Sequence, residues 1–176
     1  HQTRNLSLDI GVRYQEKGFL FDVAGSCAFC IESSQNPLLY LGLLCSPIAF
    51  EVLRAQNPTL NFQASNVGNI PWIVPSDEKR IIEIVELLVE RGKNDWNSSE
   101  ISWDFKEIPL LSDEIKGETL KESFFKWVKQ CKTNTRIMKE LEEENNRIFI
   151  ETYGLQEELT PEVPIEEITI FANTRY

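Results

Sequence analysis

Cys27-Ala28-Phe29-Cys30 has the spacing of a redox thiol pair or of half a zinc site, and it is the first place in the chain where chemistry can be sought. The remaining cysteines are Cys45 and Cys131, and the one histidine is His1. With no second close cysteine pair and no internal histidine, a tetrahedral zinc set cannot close, and Ser-His or Cys-His nucleophile pairs have no base. The thiols are therefore expected to be reduced and structural, filling apolar space as free cysteine usually does. Neither G-x-G-x-x-G nor G-x-x-x-x-G-K-[ST] occurs, so loops that cradle a dinucleotide or a triphosphate are missing. Glu142-Glu143-Glu144 groups carboxylates, but successive helical positions point in different directions and form no convergent acid and base. The expectation is a chain without catalytic, cofactor or metal residues.

The elements that would position any site read as a mixed α/β fold. Gly11-Val12-Arg13-Tyr14, a turn through Glu16-Lys17-Gly18, Phe19 to Gly25 and Cys27 to Ile31 are rich in aromatic and β-branched residues bounded by glycines, which predicts a hairpin-like β region. Leu38 to Cys45 is apolar all round, as in a short buried helix, and Ser46-Pro47 supplies a cap and a first-position proline for a second helix ending near Gln56. Leu60 to Pro75 is expected to be irregular and to lead to an edge strand, because prolines stand at Pro71 and Pro75. Ser76 opens a helix with Ile81, Ile84, Val85 and Leu88 on one face and Gly92 at its end. Residues 95–111 form a linker with Trp96 and Trp103, whose rings are expected to pin it onto the helices. Residues 118–153 form the longest helix, with a stripe through Phe124, Trp127, Cys131, Met138, Leu141 and Ile148 that wants a helical partner. Ile165 to Phe171 is expected to be a terminal strand. The division is thus a β-containing region at 1–75 and a helical region at 76–176.

Charge constrains partners. The net charge is −10, and duplex affinity rests largely on neutralising phosphates. Residues 1–75 hold four Lys/Arg against five Asp/Glu, whereas 76–176 hold fourteen against twenty-three, so the acid belongs to the helical part and is read as a solvated helix face. The 176 residues, 41% hydrophobic, suffice for an ordinary core. The apolar run Pro37 to Phe50 is short of a bilayer span and is broken by Pro47, so no membrane partner is expected. The start at His1-Gln2-Thr3, without signal-type features, reads as a piece of a longer cytoplasmic protein.

Four segments carry a resemblance. Gly11 to Tyr14 with Gly18 to Ser26 is similar to the start of the target-recognition region of the adenine-specific methyltransferases of BREX phage-exclusion systems, the PglX family. Asn57-Pro58-Thr59-Leu60-Asn61-Phe62-Gln63 followed by Val67-Gly68-Asn69-Ile70-Pro71 resembles the segment that closes that region. Asp95 to Phe105 resembles their Asp-Trp-Asn and Ser-Trp-Asp-Phe block, and Glu142 to Ile150 with Tyr153 to Val163 resembles their Asn-Arg-Ile-Phe and Tyr-Gly-Leu blocks. Ser65 and Ile101 depart from the pattern, where glycine and threonine are expected.

The resemblance implies a DNA sequence-recognition segment of an N6-adenine methyltransferase or restriction-modification enzyme. Its S-adenosylmethionine-binding catalytic domain would lie N-terminal to this chain, and the partners would be double-stranded DNA through the parent enzyme, that domain, and other defence proteins. Such enzymes grip a flipped adenine with Asn-Pro-Pro-Tyr. Asn36-Pro37-Leu38-Leu39 lacks the second proline and the aromatic, so no catalysis is expected from it. Base-edge reading needs Arg, Asn and Gln in a groove. The candidates are Arg13 and Lys17 at the first turn and Asn61, Gln63, Asn66 and Asn69 in the closing segment, although amides there also serve to hydrogen-bond turns. The competing expectation is an interaction module that docks the methyltransferase core or other defence components without touching DNA.

Overall fold

The computed structural model describes residues 11–16, 18–21, 27–32, 34–57, 62–168 and 170, and among them every regular element is helical. The expected α/β class is therefore corrected to all-α for the described residues. At 11–16, 19–21 and 27–31 the backbone forms no strand; the rest of the proposed hairpin, including Lys17 and 22–25, lies outside the described residues. The aromatic and β-branched residues that suggested strands report side chains suited to a pleated surface, but a strand exists only where a neighbour completes its ladder. Here Leu20 is 99% and Ile31 95% exposed, so no sheet face covers them. The terminal strand is likewise replaced at its start by a 3-10 turn, Ile165–Glu167. Pro164 sets the turn, and the Glu167 N–H donates to the Pro164 carbonyl at 2.9 Å.

Helix α1 (Pro37–Leu44) starts because Asn36 is extended and its Oδ1 accepts the Leu38 N–H at 3.0 Å, with Pro37 preset for the first turn. Ser46 ends it by donating its hydroxyl to the Leu43 carbonyl at 2.7 Å, and α2 (Pro47–Gln56) follows after a bend of 67°. Both run where the sequence predicts them. The short α3 (Ala64–Gly68) occupies the stretch expected to be irregular. Helix α4 (Glu78–Asn97) is capped by Asp77, whose Oδ1 accepts the Arg80 N–H at 3.0 Å, rather than by Ser76. It continues through Gly92 to Asn97, which shortens the expected linker. Next comes a 3-10 turn, Pro109–Leu111, and then α5 (Leu120–Tyr153), close to the predicted 118–153. At its start the Glu122 N–H donates to Thr119 Oγ1 (3.2 Å), and Glu122 Oε2 accepts the Glu118 N–H (2.9 Å).

The chain divides into two compact units, 1–85 with 145–161, and 86–144 with 162–176. In the first, Leu39, Leu43, Ile48, Ala49 and Leu53 are buried together with Ile81, Ile84, Val85, Phe149 and Ile150. Gly42 permits the closest approach there: a Cβ on it would lie 2.9 Å from Asn145 Oδ1 and 3.2 Å from the Phe149 ring. Asn145, itself buried, donates its amide to the Gly42 carbonyl at 3.0 Å. In the second unit the buried apolar residues are Ile115, Met138, Leu141 and Ile168. There Arg91 Nη1 ties α4 to α5 by donating to Asn134 Oδ1 at 2.7 Å.

Candidate functional site

The polar residues expected to read bases divide by segment. Arg13 is exposed in the segment 11–16, which forms no regular element. Lys17 and Asn61 lie outside the described residues. Gln63, Asn66 and Asn69 are brought together by α3, where two of them take part in the helix itself. The Gln63 N–H donates to Asn66 Oδ1 at 2.9 Å, and the Asn69 N–H closes the far end by donating to the Ser65 and Asn66 carbonyls, both at 3.2 Å. Asn66 is half-buried and holds the first turn, while the side chains of Gln63 and Asn69 are exposed. Of the closing-segment candidates, then, the Asn66 amide oxygen is engaged in helix capping.

Asn36-Pro37, the remnant that resembles a base-gripping loop, is the α1 cap described above. Its amide oxygen is directed at the backbone of its own helix. The cysteines also depart from expectation: Cys27, Cys30 and Cys45 are exposed, and only Cys131 is half-buried. Burial, with Asp95 next in weight, pushes the Cys131 thiol above its ordinary value, which disfavours the thiolate. Among the described residues no group of three or more His, Cys, Asp or Glu is placed to hold a metal ion. Among the described residues no single helix is long and apolar enough to cross a membrane.

The two resembling C-terminal blocks acquire structural roles. Tyr153-Gly154-Leu155 is a helix stop: Gly154 adopts φ +69°, its N–H donates to the Glu151 carbonyl (3.1 Å), and that of Leu155 donates to the Ile150 carbonyl (3.0 Å). Beyond it the chain returns along α5. In the first unit Asn146 Nδ2 donates to the Pro161 carbonyl at 3.2 Å. In the second, Lys139 donates to the Val163 carbonyl at 2.6 Å and pairs with Glu143, which also accepts the Val163 N–H at 3.1 Å. Glu142 lies beside this clasp, and burial, with Glu143 and Glu167 adding repulsion, raises its pKa to about 7. In the Asp-Trp-Asn block, Ser102 is buried and donates to Asn97 Oδ1 at 2.7 Å, whereas Trp103 is 93% exposed. The expectation that Trp103 pins the linker is therefore corrected: the serine and asparagine hold this turn.

Comparison with known proteins places these blocks. The chain is 34% identical over 162 residues to the adenine-specific methyltransferase PglX of Lacticaseibacillus casei (strain Zhang), covering 90% of this chain. It is 31% identical over 170 residues to the adenine-specific methyltransferase BrxX of Escherichia coli O9:H4 (strain HS), covering 94% of this chain. The chain spans 13% of the length of each of these relatives. No family model matches it. The similarity to PglX and BrxX thus runs through nearly all of this chain, and the helix stop, the tail clasp and the Ser102 turn all fall within a region homologous to a small part of those enzymes.

One surface was missed by the sequence reading. Phe125, Val128, Lys129, Lys132, Thr133 and Arg136 line a shallow groove along the exposed side of α5, all within the second unit. Its signal was present in the sequence as cations at helical spacing, hidden when charge was summed over 76–176.

Proposed function

We propose that this chain is a non-catalytic segment of an S-adenosylmethionine-dependent, adenine-specific DNA methyltransferase of a phage-defence system, serving target recognition. The observation that carries the reading is the 34% identity to PglX across 90% of the chain. Residues 1–75 form the recognition region, with Arg13, Lys17, Asn61, Gln63 and Asn69 as the side chains offered to base edges, Asn66 having its amide oxygen engaged in its own turn, and 76–176 is its helical support. The cofactor and the reacting adenine belong to a catalytic domain elsewhere in the parent, and duplex DNA is met through the whole enzyme. In a parent with this architecture, exchanging 1–75 for the equivalent region of a relative with a different site is expected to change the genome-wide adenine methylation motif. An unchanged motif would place recognition elsewhere.

A second reading is favoured by a separate observation. Leu20, Phe21, Phe29 and Ile31 are exposed, which suits burial against another part of the parent, such as its methyltransferase core. Leu20→Asp with Ile31→Asp in the parent would then reduce methylation at every site alike and leave the motif unchanged.

A further inference from the structure

We infer that the exposed face of α5 through Phe125, Lys129, Lys132 and Arg136 is a binding surface for the sugar-phosphate backbone of duplex DNA. It deepens the proposed function, resting on that reading only for the choice of DNA as the polyanion. The charge distribution makes the case. Residues 121–136 carry Lys121, Lys126, Lys129, Lys132 and Arg136 against Glu122, a cationic stretch in a chain of net charge −10. The spacing of four, three and four residues puts Phe125, Lys129, Lys132 and Arg136 on one side of the helix. The buried residues Ser123, Met138 and Leu141 belong to the opposite side.

Lys129 with Lys132 and Lys132 with Arg136 are like-charge neighbours at i,i+3 and i,i+4, an arrangement that works against the helix by itself. The carboxylates near the face compensate little. Glu140 lies 3.8 Å from Arg136 with both side chains well exposed, and Glu122 is engaged with the Glu118 N–H in the cap. The three cations are spread over about 10 Å of helix axis, so they present a line of charge rather than a point. A line of phosphates is the complementary array, with one negative charge about every 3.4 Å along each strand. Phe125, 60% exposed beside them, can cover a deoxyribose face. An acidic helix also presents its charges in a line, and competition by polyglutamate separates such a partner from duplex DNA.

The test is fluorescence anisotropy of a short labelled duplex with the full chain across a salt series. Three phosphate contacts predict a loss of affinity of roughly 40-fold between 50 and 200 mM salt. The triple variant Lys129→Gln, Lys132→Gln and Arg136→Gln is expected to bind at least tenfold more weakly and to lose most of that salt dependence. A control triple, Lys79→Gln, Lys106→Gln and Lys116→Gln, removes the same charge elsewhere and should bind as the unaltered chain does. Circular dichroism of both triples checks that they are folded. Equal losses in the two triples, or no binding by the unaltered chain at low salt, would overturn the inference. So would polyglutamate competing as well as duplex at equal charge, which would make the partner an acidic protein. The binding result is independent of the motif-exchange experiment: an unchanged motif there would sink the recognition reading while leaving this surface intact.

Discussion

The two ends of α5 each carry a phenylalanine, and the two rings meet opposite fates. Phe149 near its C-terminal end is completely buried, whereas Phe125 near its N-terminal end is 60% exposed. Asn145, Asn146 and Ile150 are buried around Phe149; Lys129, Lys132 and Arg136 follow Phe125 along solvent. Charge diverges in the same direction: five cations against one carboxylate over 121–136, then two cations against five carboxylates over 137–153. A single helix can thus be core at one end and interaction surface at the other. Its average charge describes neither.

The contrast breaks most visibly at the aromatic residues. Phe149→Ala is expected to cost about 3 to 5 kcal/mol in urea unfolding of the chain, since the ring is fully enclosed and Gly42 has no side chain with which to fill the space. Phe125→Ala should change stability by no more than about 0.5 kcal/mol. Equal costs would mean that the outer ring is packed and the comparison is wrong.

Glu142 gives the next effect. Its folded pKa of about 7 lies above its ordinary 4.5, so the native state holds the proton more tightly than the unfolded chain does. The stabilisation is complete below about pH 4.5 and is lost as pH rises to about 7. Glu142→Gln, which needs no proton, should therefore be more stable than the unaltered chain at pH 8 by on the order of 2 kcal/mol, with the advantage vanishing near pH 4. Denaturant midpoints at the two pH values check this, and a constant difference would show that the carboxylate is not the cause.

Asn36→Ala should cost about 1 kcal/mol, the usual value of a helix cap. Asn36→Ser should recover most of it, because serine also caps, and no such rescue would be expected of a base-gripping amide. Smallest of all, Lys132→Gln should stabilise the chain by a few tenths of a kcal/mol by relieving repulsion from Lys129 and Arg136. A destabilisation there would indicate that the basic face is structural.

The legibility of this fold followed where the energy is local. The apolar run after Asn36, the proline at Pro47 and the long stripe of 118–153 place α1, α2 and α5 where they lie, although the Ser46 side chain expected to cap α2 donates instead to the Leu43 carbonyl, and the caps at Asn36 and at Thr119 with Glu122 appear only in the structure. The α5 stripe was read correctly at Met138 and Leu141, which are buried, but Phe124 is 47% exposed, because periodicity identifies a face without saying how far along it a partner extends. Strands were misread for the opposite reason: their stability lies in a neighbour, and the pattern at Phe19 to Ile31 contains no information on whether one is present. Gly92 reads as a stop but lies within α4, because one glycine costs a helix only about 1 kcal/mol and does not end it by itself. At the candidate site, the amides of the closing segment were identified as polar and adaptable, yet whether an amide faces a base or its own backbone depends on the turn it sits in. Asn66 caps α3, and only the folded backbone reveals it. The basic groove does not show in the net charge of a hundred residues, because its cations gather on one face of one helix.

The returning tail has a practical consequence for anyone shortening this chain. Gly154 looks like a natural place to cut, since α5 is complete there and the described residues beyond it form no long element. A chain ending at that glycine would keep every α-helix of the described residues but strip Lys139 and Glu143 of Val163 and Asn146 of Pro161, and would remove Ile168 from the buried set. Boundaries for expression or for grafting into a relative are therefore better set after residue 170 than after the last helical turn, because tolerance to truncation follows buried contacts and backbone hydrogen bonds rather than the visible end of an element.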